Sequence, residues 1–123
     1  EDYETRYNLG IAYKEMGLLD VAIGEFQYAS RDPKLFMQCC SILGICFRDK
    51  GMSDLAVKWY RKALESTGHP EEKTLGLRYD LAELHLERGE HSHALSLFSE
   101  VYGINSNYRD VASKVRELKK RVG

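Results

Sequence analysis

The chain has two prolines in 123 residues, three cysteines, one tryptophan and no long apolar run, and its basic and acidic residues nearly cancel. Each shortage excludes something. A bilayer-spanning helix needs roughly 20 consecutive apolar residues, and none is present. The N-terminus also lacks a basic segment followed by a hydrophobic one, so membrane insertion is not expected and the chain reads as cytoplasmic. With 18 basic residues against 19 acidic ones, no net field draws it toward nucleic acid or an anionic membrane. Because the chain opens at Glu1 without methionine and enters patterned sequence at once, it reads as part of a longer protein whose repeats continue upstream.

Cys39, Cys40 and Cys46 fall in one helical segment. Adjacent helical side chains diverge by about 100 degrees, and Cys39 and Cys46 lie two turns apart, so a disulfide framework is not expected. They read as small buried apolar residues in a reducing compartment. The alternative is a metal or redox site completed by His69, His85, His91 or His93. It lacks a paired Cys-x-x-Cys, and His91 and His93 at a helix start send their rings to different sides. No metal or cofactor is therefore expected. An enzyme would need a constellation, and the sequence holds no Gly-rich phosphate loop, no spaced Ser, His and Asp set and no helix with paired metal ligands. Glu83 and Glu87 do form an i, i+4 carboxylate pair with His85 between them, but His85 falls at a packing position and reads as a buried, satisfied histidine. The expectation is a non-enzymatic protein.

What the sequence does contain is a recurrence. Leu9-Gly10-x-x-Tyr13 returns 34 residues later as Leu43-Gly44-x-x-Phe47 and again, altered, as Leu81-Ala82-x-x-His85. Gly17, Gly51 and Gly89 follow, then Ala22, Ala56 and Ala94, then Phe26, Tyr60 and Phe98. A period of this size holds two helices, and a stack of such units works through its surface. The glycines suit a left-handed helix end. Each alanine, with a large aromatic one turn later, lets two helices approach closely. Helices are predicted at about 3–16, 19–30, 35–50, 53–66, 71–88, 91–103 and 108–121. Asp20, Ser53 or Asp54, and Ser92 are expected to cap the second helix of each pair. Pro70 suits a first helical position and Asn107-x-x-Asp110 a loose capping box. About four extra residues, within Ser66-Thr67-Gly68-His69-Pro70, separate the second copy from the third.

These residues resemble the tetratricopeptide-repeat family, whose signature Leu9, Gly10, Tyr13, Gly17, Ala22, Phe26, Ala29 and Pro33 match; Arg6, Cys40 and Arg78 depart from its bulky opening residue. The resemblance implies an all-α fold, an α-solenoid of three helical hairpins with a C-terminal capping helix. It covers a single domain, 1–123, with repeats at about 3–34, 37–70 and 75–106 and the cap at about 107–121. The last segment carries Tyr108, Val111, Ala112, Val115, Leu118 and Val122 on one stripe, and Arg109, Lys114, Arg116, Lys119, Lys120 and Arg121 on the rest. A solvated cap accounts for that charge; the alternative is a docking face for an acidic partner or for RNA. The ending Asn107-Tyr108-Arg109-Asp110-Val111-Ala112 is similar to C-terminal modules of long bacterial tetratricopeptide proteins, which scaffold secretion, pilus or motility assemblies.

In this family the first helices of the hairpins line a concave groove. Carried over residue by residue, the partner-binding positions are Tyr7, Asn8, Ile11 and Lys14, then Ser41, Ile42, Ile45 and Arg48, then Tyr79, Asp80, Glu83 and Leu86. The family's clamp for a chaperone C-terminal carboxylate falls on Tyr7, Ile11, Ile42, Gly76 and Asp80, which cannot hold an anion. The resemblance thus implies an adaptor or scaffold that takes a peptide or helix with apolar anchors. Trp59, Tyr102 and Phe36 are expected to pack at repeat junctions. The alternative function is self-assembly, stacking copies through the acidic N-terminal and basic C-terminal segments, with weak self-association.

Overall fold

The structure, a computed structural model, describes residues 2–66 and 68–122. Glu1, part of the acidic segment, Thr67, part of the expected insertion, and Gly123 lie outside the described residues. Regular structure among the described residues is all helical: α1 (Tyr3–Glu15), α2 (Leu19–Ala29), α3 (Phe36–Asp49), α4 (Ser53–Glu65), a 3-10 turn (Glu71–Thr74), α5 (Leu75–Glu87), α6 (His91–Ile104) and α7 (Val111–Val122). These elements fall in two compact units, Glu1–Thr67 and Gly68–Gly123, whose boundary lies in the expected insertion.

The helix ends follow from the glycines. Gly17, Gly51 and Gly89 adopt φ of +80, +77 and +75°, which only a residue without a Cβ takes at little cost. The amides of Leu18, Met52 and Glu90 then reach back to the carbonyls of Tyr13, Phe47 and His85, each at 2.9 Å, closing the helix in a Schellman turn. This tight return corrects one expectation. The N-cap positions of α2, α4 and α6 are taken by Leu18, Met52 and Glu90, without side-chain cap bonds. Asp20, Ser53, Asp54 and Ser92 lie inside those helices, where Asp20 and Asp54 still complement the helix dipole.

Within the first unit, α1 packs on α2, α3 on α4, and α2 on α3. Gly10 and Gly44 make the hairpins tight: a Cβ on either would stand 2.6 Å from the ring of Phe26 or Tyr60. Ala22, Phe26, Ala56 and Tyr60 are fully buried, as the recurrence implied. Cys39, Cys40 and Cys46 are free thiols in the same core. Burial pushes the thiol of Cys39 up to about 12 and that of Cys40 to about 11, which suppresses the thiolate that nucleophilic or metal chemistry needs.

In the second unit α5 packs on α6 and α6 on α7. The predicted helix at 71–88 becomes α-helical only at Leu75. Pro70 stays extended outside it, and Thr74 bonds the Glu71 carbonyl at 2.7 Å while accepting from Arg78 at 2.8 Å. Likewise α7 begins at Val111, not near 108, because Arg109 takes φ +45° and breaks the helix. The Asn107–Asp110 pair does not organise that turn. Asn105 accepts the Asn107 amide at 2.9 Å, and the carboxylate of Asp110 accepts the hydroxyl of Tyr79.

Candidate partner-binding surface

Three faces can be read around α1. Gly10 turns toward α2, Tyr7, Ile11 and Lys14 recur at helical spacing on a second face, and the exposed Thr5, Leu9, Ala12 and Met16 on a third. Tyr7, Ile11 and Lys14 are half-buried. The Tyr7 ring stands edge-on to Phe26, centroids 5.6 Å apart. Burial raises its phenol pKa, with the nearby Cys39 adding to the effect. Lys14 correspondingly lies close enough to Cys46 to act on its thiol.

The second row of this surface comes from α3. Ser41, Ile42, Ile45 and Arg48 are all half-buried, while Asn8 on α1 is exposed. Part of each apolar side chain is held by the core and part remains accessible. The sequence-derived residues of the first unit thus offer partly accessible side chains on α1 and α3, Tyr7, Ile11, Ile42 and Ile45 being apolar and Lys14 and Arg48 charged.

The corresponding residues of α5 have different surroundings. Tyr79 is only 5 % exposed. Its ring packs against Phe98 at 5.2 Å and Tyr108 at 5.9 Å, the Arg109 guanidinium lies 4.8 Å from its centre, and its hydroxyl donates to Asp110. Burial first, then the Asp110 carboxylate, pushes the phenol pKa far up. With these groups in place the ring is covered, so Tyr79 departs from its expected role as an anchor. Asp80 pairs with Arg109 at 3.8 Å, Glu83 is half-buried, and Leu86 lines a groove of about 320 Å³ with His91, Lys114, Glu117, Leu118 and Arg121. Sequence reasoning missed the Tyr108-Arg109-Asp110 turn that covers α5. Its signal was an aromatic beside two opposite charges just ahead of the last helix.

His85 is buried, with Nδ1 2.8 Å from Glu90, whose carboxylate also accepts from Arg88 at 2.8 Å. The Arg88 hydrogen bond, then that of His85, holds Glu90 down to about 2. His85 is thus a satisfied core residue, as expected. Among the described residues no three His, Cys, Asp or Glu side chains cluster as a metal site, and no helix is long and apolar enough to cross a membrane. Two junction expectations need revision. Tyr102 is 46 % exposed, and Trp59 is half-buried with Lys62 Nζ 4.5 Å from its ring centre.

Residues 39–74 match the tetratricopeptide-repeat family. No curated protein matches the sequence. The fold is similar to the Yersinia enterocolitica type III secretion chaperone SycD in complex with a peptide of the translocator YopD, at TM-score 0.79 and 21 % identity over 98 % of this chain and 94 % of that one. It is also similar to MamA, at TM-score 0.80 and 18 % identity over 97 % of this chain and 63 % of that one. A third likeness is to the first tetratricopeptide domain of Spaghetti (RPAP3) bound to the HSP90 peptide SRMEEVD, at TM-score 0.80 and 10 % identity over 98 % and 92 %. The family match is confined to residues 39–74, and the chain shares the all-α helical-hairpin fold of these structures.

Proposed function

We propose that the chain is a non-enzymatic interaction module that takes a partner peptide or helix on the α1–α3 strip of its first unit. The carrying observation is that Tyr7, Ile11 and Lys14 share one half-buried face of α1, and that Ser41, Ile42, Ile45 and Arg48 on α3 are half-buried as well. Side chains already ordered by the core lose little rotamer freedom when a partner covers them, and rigid apolar anchors dominate such interfaces. Asn8 adds an exposed amide. Asp80, Glu83 and Leu86 on α5 form a second candidate set, whereas Tyr79 supports α5 from below.

The likeness to SycD with a translocator peptide and to a tetratricopeptide domain with an HSP90 peptide supports peptide binding as the mode. The ligand differs from a chaperone carboxyl terminus, because Tyr7, Ile11, Ile42, Gly76 and Asp80 present no cationic clamp. The near-neutral charge argues against nucleic acid. The setting we propose is the cytoplasm of a bacterium, as an adaptor within a larger secretion, pilus or motility protein.

A peptide-array screen followed by titration tests the reading. Tyr7→Ala and Ile45→Ala should each weaken the captured peptide by at least about 1 kcal/mol, roughly fivefold, with the helical circular-dichroism spectrum retained. Unchanged affinity in both variants would remove the strip as the site.

A further inference from the structure

A second surface stands out when equivalent positions are compared. Leu43 and Leu81 are fully buried, but their counterpart Leu9 is 41 % exposed. Cys46 and Leu84 are buried, and their counterpart Ala12 is exposed. Further along, the position of Lys50 and Arg88 is held by Met16, 68 % exposed, while Leu18 and Val21, 45 and 48 % exposed, stand where the other copies have Met52 and Leu55 or Glu90 and His93. Lys50 answers the preceding hairpin through Asp20 at 2.5 Å, whereas Met16 offers only apolar surface. A repeat edge facing solvent is expected to be polar; this one exposes Leu9, Met16, Leu18 and Val21. Exposed Asp2, Glu4 and Glu15 flank it.

The second unit carries the complementary feature. Between α6 and α7 lies a groove of about 360 Å³, floored by Tyr102, Ala112 and Val115 and bordered by Ser99, Arg116 and Lys119. It is apolar at the base and cationic at the rim, while the α1 edge is an apolar stripe with anionic flanks.

We propose that the occupant of each surface is a second copy of this chain: the α1 edge of one copy seats in the α6–α7 groove of the next. Leu9, Ala12 and Met16 meet Tyr102, Ala112 and Val115, and Glu4 and Glu15 face Arg116 and Lys119. Such a contact joins two different patches, so it is heterologous: an assembly keeps one free edge at one end and one free groove at the other, and grows with concentration unless the rotation closes it into a ring. The charged flanks make association weaker in high salt. This contact is separate from the peptide strip, since Tyr7, Ile11 and Lys14 lie on another face of α1.

The test uses light scattering after size exclusion and sedimentation velocity on the intact chain at low salt. The wild type should sediment as a series of growing species. Met16→Glu, and separately Arg116→Glu with Lys119→Glu, should weaken association at least about tenfold. All three positions are exposed, and circular dichroism checks that each variant folds. Mixing the two variants leaves one intact pair of surfaces, so the mixture should form a 1:1 dimer that grows no further. A monomer at every concentration would overturn the proposal and leave the α1 edge to a different partner. Variants that still associate with themselves, or a mixture that forms no dimer, would also overturn it.

Discussion

Tyr7 and Tyr79 hold the same position in their repeats, yet Tyr7 is half-buried against Phe26 and Tyr79 is covered by Tyr108 and Arg109 and tied to Asp110. Leu9 and Leu43 differ in the reverse sense: the first is exposed and the second lies in the core. Position in a repeat therefore sets which way a side chain points, and the neighbouring element decides whether it is core or surface. The face of α1 that carries Tyr7 stays partly accessible, while α5 meets the turn ahead of α7. The same residue type keeps an accessible side in one place and is packed away in the other.

The largest test of that contrast removes the buried members. Tyr79→Ala should cost about 3–5 kcal/mol and Leu43→Ala about 2–5 kcal/mol in urea unfolding. Tyr7→Ala, whose ring is only partly buried, should cost about 1–2 kcal/mol. Equal costs for Tyr7→Ala and Tyr79→Ala would erase the distinction between open and covered helices.

A smaller effect separates close approach from open helix surface. Gly44→Ala forces a Cβ to 2.6 Å from the Tyr60 ring and should destabilise by about 1–3 kcal/mol. Gly24→Ala, with nothing within 4 Å of its Cβ, should stabilise by up to about 1 kcal/mol through helix propensity.

The pH dependence sharpens the comparison at the third aromatic position, where Tyr13 and Phe47 have His85 as their counterpart. Glu90 is held at about 2 against an ordinary 4.5. The folded state therefore binds fewer protons between those values. The stabilisation is complete above the ordinary value and is lost as pH falls from about 4.5 through 2. Wild type should lose its advantage over Glu90→Gln across that window. Because the carboxylate is exposed, the effect should shrink further in salt. A constant difference between the two urea midpoints down to acid pH would refute the assignment.

The smallest expected change is Leu9→Ala, below about 1 kcal/mol in the monomer, against the several kcal/mol of Leu43→Ala. A large loss in the isolated chain would mean that Leu9 is held by contacts its exposure does not reveal.

Much of the fold was legible because its signals are local. Gly17, Gly51 and Gly89 end helices through their own backbone freedom, and Gly10 with Phe26 and Gly44 with Tyr60 specify a short interhelical distance from two residue types. Of the candidate surface, the family resemblance named Tyr7, Ile11, Lys14, Ser41, Ile42, Ile45 and Arg48, and the structure leaves each of them half-buried. Tyr79 was not legible as a covered residue. Its burial depends on Arg109 taking φ +45° and on the turn that follows, a non-local event with no periodic trace. The side-chain caps expected at Asp20 and Ser92 failed for a related reason, since the Schellman turn sets the register of the next helix before a cap can act.

The sequence by itself determined the helical hairpin and its three-fold recurrence, because spacing and chain-reversing glycines act within one or two turns. Only the tertiary structure decided which equivalent residues are core and which are surface. Burial depends on what packs alongside: Leu43 and Leu81 are enclosed by neighbouring elements, Tyr79 lies under the Tyr108–Asp110 turn, and Leu9 and Met16 stay exposed.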